Sequence, residues 1–127
     1  MLKFFKRQGN NKFNEWLNDI LKNDLPKGIK AINFNLYEDS NNKWSIELIG
    51  SSVFDENNDD WACNEVFTTR DNPFILVKES DWKAIEIIFK NLVEEYLKYG
   101  KYANKLKKYT AIGIGFVDGD LSILYKN

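Results

Sequence analysis

Residues 54–67 read FDENNDDWACNEVF, which packs five acids, a tryptophan and the chain's only cysteine into fourteen positions. Such a stretch can bind a cation, present a thiol nucleophile, offer charge to a basic partner, or serve as a solvated turn. The cation reading starts well: Asp55, Asn57 and Asp59 occupy the first three oxygen-ligand positions of a calcium loop. It then breaks. Asp60 stands where that loop needs glycine for its sharp turn, and Val66 stands where a bidentate glutamate belongs, with Glu65 one residue early.

The thiol reading is weaker. A reactive cysteine needs a neighbouring cation or a helix N-terminus to favour thiolate, whereas the sequence neighbours of Cys63 are acids. A small buried hydrophobe is the expected role for it. The chain has no histidine, which removes the commonest general base and metal ligand. Ser-His-Asp and Cys-His catalysis and histidine-based zinc sites go with it.

Charge recognition fits better. Asp55, Glu56, Asp59, Asp60 and Glu65 are unrelieved by any Lys or Arg between Val53 and Thr69. Asp118 and Asp120 lie at the tip of an expected hairpin and extend the patch if the two loops meet. The net charge is −1, so this is segregation of charge rather than general acidity. A negative field steers a basic partner, and Trp61 is available as a desolvated anchor. The plainer expectation is a solvated loop with Trp61 turned into the core.

A chain of 127 residues with 43% hydrophobic and 29% charged residues suits one globular domain, 1–127. Near-neutral charge gives no case for nucleic acid or an anionic membrane. Lysines and tyrosines interleave at 98–109, but without arginine that segment reads as a solvated helix end. No stretch approaches the ~20 apolar residues of a membrane span. The single cysteine and the lack of a signal-peptide core make the cytoplasm the expected compartment.

These loops need elements to hold them. Phe13, Trp16, Leu17, Ile20 and Leu21 give a helical stripe over 11–25, capped by Asn10 or Asn11 and stopped by Pro26 and Gly28. Residues 29–37 and 43–50 alternate as an antiparallel pair with one face buried and Asn33 and Asn35 on the other. Residues 65–69 and 74–78 read as short strands flanking a turn, RDNP. The stripe Trp82, Ile85, Phe89, Leu92, Val93 and Tyr96, widened by Ile88 and Tyr99, predicts a helix over 80–99. Ser80 or Asp81 caps it, and Gly100 supplies a left-handed end. A short helix is expected within 101–108.

Residues 109–117 and 120–126 form a hairpin, for which Asp118-Gly119 signals a two-residue type I′ turn. Gly113 and Gly115 share a face and predict close approach of a neighbouring element. They do not predict a phosphate cradle, because no helix start follows them. The order gives an α+β fold: an antiparallel or mixed sheet of about five to six strands with two main helices on one face.

Three stretches, FDENNDDWACNEVF (54–67), AIGIGFVDGDLSILY (111–125) and WSIELIG (44–50), resemble small cytoplasmic immunity proteins. These belong to bacterial polymorphic-toxin and contact-dependent growth-inhibition systems. The similarity spans 44–125. It implies a non-enzymatic protein without a cofactor that binds a cognate toxin domain stoichiometrically and occludes it. Many nuclease toxins are basic because they bind phosphates, which suits the segregated acids. The residues expected at the interface are Asp55, Glu56, Asp59, Asp60, Trp61, Asp118 and Asp120; they follow from charge and hairpin position. The alternatives are a small-ligand or metal-binding regulatory domain, which a large apolar pocket would favour whereas a filled core and a flat acidic face would favour immunity, and a carboxylate-based hydrolase, which needs two acids to converge in a cleft.

Overall fold

The computed structural model describes the backbone of residues 2–127 and the side chains from residue 11 onward. In chain order, α1 is Leu2–Leu21, β1 Ala31–Ser40, β2 Lys43–Ser51, β3 Glu65–Thr68 and β4 Phe74–Val77. Then come α2 at Trp82–Tyr99, α3 at Ala103–Leu106, β5 at Ala111–Phe116 and β6 at Ser122–Lys126. A 3-10 turn at Asp59–Cys63 interrupts the loop between β2 and β3.

The six strands make one mixed sheet in the order β3-β2-β1-β5-β6, with β4 also on β2. The α+β class is as the sequence predicts. The mixed character comes from β5, which runs parallel to β1 with Ile32 opposite Ile112 and Phe34 opposite Ile114. The intervening chain, including α2, carries the connection over one face. That face holds Ile32, Phe34, Leu36, Trp44, Ile46, Leu48, Ile112, Ile114 and Phe116. Phe13, Leu17 and Leu21 of α1 and Ile85, Phe89 and Val93 of α2 close over it. Burying each such side chain contributes about 1.5–3 kcal/mol. The hydroxyl of Tyr96 donates to Asn18 Oδ1 at 2.6 Å and ties the two helices together.

Several local expectations are corrected. Asn10 and Asn11 lie inside α1 rather than at its cap. Once the packed turns of 13–21 have nucleated a helix, each added residue gains a hydrogen bond, so weak formers are carried along. Trp82 is 51% exposed and Tyr99 81%, so the buried stripe of α2 begins at Ile85 and ends at Leu97. Asp81 is the cap, accepting from the Ala84 N–H at 2.9 Å. Gly100 is extended, not left-handed (φ −66°, ψ 149°). Glycine is needed there because a Cβ would stand 2.6 Å from the Tyr96 ring.

The RDNP turn does not reverse the chain. β3 and β4 both pair antiparallel with β2, β3 against Ile49–Ser51 and β4 against Lys43–Ile46. They are two halves of one edge strand, and residues 69–73 bulge out between them. Thr69 bridges the gap: its N–H donates to the Leu48 carbonyl at 3.0 Å, and its Oγ1 accepts from the Leu48 N–H at 2.9 Å.

The second face of the sheet is also covered, contrary to the expectation of a single buried face. Asn33, Asn35, Ser45, Glu47 and Ser51 are all buried. Their environment belongs to the candidate site.

Candidate partner-binding surface

Alternation places Asn33 and Asn35 of β1, Ser45, Glu47 and Ser51 of β2, and Gly113 and Gly115 of β5 on this second face. Register aligns Gly115, Asn35 and Glu47 in one row across three strands. A chain of hydrogen bonds runs through these side chains. Asn33 Nδ2 donates to Asn35 Oδ1 at 2.7 Å, and Asn35 Nδ2 donates to Glu47 Oε1 at 3.0 Å. The Tyr37 hydroxyl donates to the same Oε1 at 2.9 Å. Glu47 is 1% exposed, and an unpaired carboxylate could not stay charged there. The bulge at 69–73 answers this by placing Arg70 over it. Arg70 Nη2 donates to Oε1 at 2.8 Å and Nε to Oε2 at 3.2 Å.

The same Nη2 donates to Glu65 Oε2 at 2.8 Å. These carboxylates hold the Arg70 guanidinium well above its ordinary range, with the Glu47 hydrogen bonds contributing most. Burial, and then the hydrogen bond to Glu47, raises the Tyr37 hydroxyl above its usual value.

The stretch 54–67 covers the other part of this face. Trp61 is 2% exposed and packs with Ala31 and Ala111, with Phe54 edge-on at 5.2 Å. The Trp61 carbonyl accepts from Ser51 Oγ at 2.6 Å. A Cβ on Gly113 would meet Asn33 Oδ1 at 2.6 Å and the Trp61 ring at 3.2 Å. The glycines therefore mark close approach, as the sequence predicts. Among the described residues, Trp61 Nε1 and Asn33 Oδ1 have no hydrogen-bond partner. As a buried plug, Trp61 is not placed to anchor a partner. Cys63, two residues on, is exposed rather than buried, because the 3-10 turn spends its inward direction on Trp61.

The acids face outward. Asp55, Glu56, Asp59, Asp60, Asp118 and Asp120 are all exposed. Asp55 Oδ1 accepts from the Asn57 N–H at 2.9 Å, and Asn58 Oδ1 caps the 3-10 turn through the Asp60 N–H at 3.0 Å. Asp59 Oδ2 accepts from the Leu121 N–H at 3.0 Å. This bond joins the acidic stretch to the loop carrying Asp118 and Asp120. Glu56 is paired instead, with Lys126 Nζ at 2.6 Å. Among the described residues, no group of three or more Cys, Asp or Glu side chains gathers closely enough to hold a metal ion.

The expected type I′ turn at 118–119 is absent. Neither Asp118 nor Gly119 has positive φ, and five residues separate β5 from β6. The Asp120 carbonyl lies where a Gly115 Cβ would be, at 2.5 Å. The Gly119 N–H donates to the Phe116 carbonyl at 2.9 Å, so a turn closes one residue earlier, at 117–118, before the loop folds onto the sheet.

An open cleft of about 680 Å³ lies beside this loop, at the end of β1 and β5. Leu36, Trp82, Phe116 and Val117 supply its apolar lining, and Glu38, Glu86, Asp118 and Asp120 its acids. The acidic surface is therefore creviced, not flat. Sequence reasoning missed this cleft because it assigned Trp82 to the core; the signal was its place in the first helical turn, where it meets the sheet only at the end of β5, through Phe116.

The lysine-rich segment is engaged locally. Lys105 Nζ donates to the Leu21 carbonyl at 2.7 Å, and Lys101 and Lys105 lie over the Tyr102 ring. Among the described residues, no helix is long and apolar enough to cross a membrane. Comparison with protein-family models, curated proteins and solved structures finds no match to this chain.

Proposed function

We propose that the chain is a non-enzymatic immunity protein that binds and occludes a basic toxin domain, with a nuclease as the expected class. The observation that carries this is the bond from Leu121 N–H to Asp59. It merges two sequence-distant acidic loops into one outward surface bearing Asp55, Asp59, Asp60, Asp118 and Asp120. Such a surface steers a cationic partner and repels nucleic acid, so it competes with the substrate for a nuclease's phosphate-binding face. Glu56 contributes less, being neutralised by Lys126. The resemblance of 44–125 to immunity proteins supplies the class of partner. The compartment proposed is the cytoplasm, where such a toxin would act.

The test is to sequence the genes flanking this chain's gene for a toxin domain, co-express the two, and follow with calorimetry on the purified pair. Charge reversal at Asp59→Lys and Asp60→Lys should weaken binding about 10- to 100-fold and flatten its salt dependence. Unchanged affinity and salt dependence would reject this surface. Absence of protection during co-expression would reject the function.

A small-ligand regulatory role is the second reading, favoured by the cleft of about 680 Å³. Thermal-shift screening against small metabolites separates it: a regulatory domain gains its largest stabilisation from a free small molecule, an occlusion protein from its protein partner.

A further inference from the structure

The cleft at the end of β1 and β5 differs from the rest of the acidic surface in having an apolar floor. Trp82 is 51% exposed and Val117 52%. The Trp82 and Phe116 rings stand perpendicular, with centroids 6.1 Å apart and planes at 89°. Phe116 thus braces the indole against the core while about half of the side chain stays open. Its setting already suits a cation: Lys83 Nζ lies 5.7 Å from the ring centroid. Among the described residues, the lining contains no Lys or Arg, whereas it contains Glu38, Glu86, Asp118 and Asp120 from three different elements. Lys90 offsets part of this charge from outside the lining. Its Nζ donates to Ser122 Oγ at 2.9 Å and lies 3.7 Å from Glu86.

An aromatic floor with carboxylates on its rim discriminates among cations. A lysine ammonium is a compact, strongly hydrated charge that loses water on entering such a cleft. A guanidinium is planar, weakly hydrated, stacks on an indole and can donate to carboxylates on separate elements at once. We infer that this cleft receives an arginine side chain presented by the protein partner, with Trp82 as the stacking surface and Glu86, Asp118 and Asp120 as acceptors. This rests on the immunity reading for the identity of the partner, but not for the chemistry of the cleft. It also replaces Trp61 by Trp82 as the aromatic contact.

The test is nuclear magnetic resonance on the isotopically labelled full chain. The probes are acetyl-Gly-Arg-Gly-Arg-Gly-amide, its lysine counterpart and free L-arginine. The arginine peptide should shift the Trp82 indole and the 117–120 amides saturably, and bind about threefold to tenfold more tightly than the lysine peptide. Trp82→Ala, followed through the 117–120 amides, should weaken binding by about the same factor. Glu86→Gln and Asp120→Asn should each weaken it without disturbing the Trp82–Phe116 contact, so the result does not depend on one aromatic variant. Shifts confined to 55–60, equal binding of the two peptides, or equal binding of free arginine would each overturn the assignment. Those results leave the immunity reading standing, whereas failure of toxin protection with intact arginine selectivity removes the immunity reading alone.

Discussion

Arg70 grips the buried carboxylate of Glu47 through both oxygens, at 2.8 and 3.2 Å, from the far side of an edge-strand bulge. Arg70 itself is half-exposed, so water screens part of the interaction. Truncation by Arg70→Ala removes the cation that offsets the buried Glu47 carboxylate and leaves it with the Asn35 and Tyr37 hydrogen bonds. It should cost about 2–3 kcal/mol, below the ~3–5 kcal/mol of a fully buried pair. Arg70→Lys keeps the charge but loses the fork, and should cost about 1–2 kcal/mol. Urea unfolding measures both, and a loss under ~0.5 kcal/mol for Arg70→Ala would show that the bulge is not held by this contact.

The loop over Gly115 gives a second prediction. A Cβ there would stand 2.5 Å from the Asp120 carbonyl, which is backbone and cannot rotate aside. Gly115→Ala should therefore lift the 117–121 loop and destabilise the chain by about 1–3 kcal/mol. Gly119→Ala serves as the control. Its Cβ would approach nothing closer than 3.7 Å, so its melting temperature should stay near that of the parent chain.

Trp61 gives a third. Trp61→Ala opens a cavity beneath the acidic stretch and should cost about 3–5 kcal/mol. Trp61→Phe keeps most of the apolar volume and removes an indole N–H that has no acceptor among the described residues, so it should cost under ~1.5 kcal/mol. If the two variants were equally damaging, the indole N–H would be essential and the packing account of the plug would fail.

The core halves of this arrangement are legible in the sequence, and the covered polar half is not. Ile32, Phe34, Leu36, Trp44, Ile46 and Leu48 alternate strictly, and period-2 alternation is a local signal. The same alternation makes Asn33, Asn35, Ser45 and Glu47 look solvent-facing. Their burial depends on Arg70, 23 residues beyond Glu47, and on Trp61. Nothing local announces those partners. The parallel pairing of β1 with β5 is non-local in the same way. Gly113 and Gly115 did announce that something approaches closely, but not that it would be Trp61 and the Asp120 backbone. The acids were legible as exposed; their union through Asp59 and Leu121 was not.

Alkaline pH offers a fourth prediction. Burial is the largest cause raising the hydroxyls of Tyr37, Tyr96 and Tyr109 above the ordinary tyrosine value. Below about pH 10 both folded and unfolded chains keep these protons, and stability does not depend on them. Above it the unfolded chain releases protons that the folded chain retains, so stability falls as pH rises through the folded values. Absorbance titration at 295 nm should show these three tyrosines ionising late and together with unfolding, and Tyr37→Phe should remove part of the alkaline loss. Six tyrosines titrating as one ordinary class in a still-folded chain would contradict this.

The bond between Leu121 N–H and Asp59 Oδ2 yields the last prediction, because it separates the structural work of the acidic stretch from its charge. Asp59 and Asp60 are adjacent, both exposed and equally charged, yet only the Asp59 side chain reaches the second loop, at 3.0 Å. Asp59→Ala should cost about 0.5–1.5 kcal/mol and accelerate hydrogen exchange at the Leu121 amide. Asp60→Ala should leave both unchanged within error. Asp59→Asn removes the charge but keeps an acceptor, so Leu121 should stay protected while attraction to a basic partner falls. Equal exchange at Leu121 in the Asp59→Ala and Asp60→Ala chains would mean that the two acidic loops are neighbours without being joined, and the single acidic surface would lose its basis.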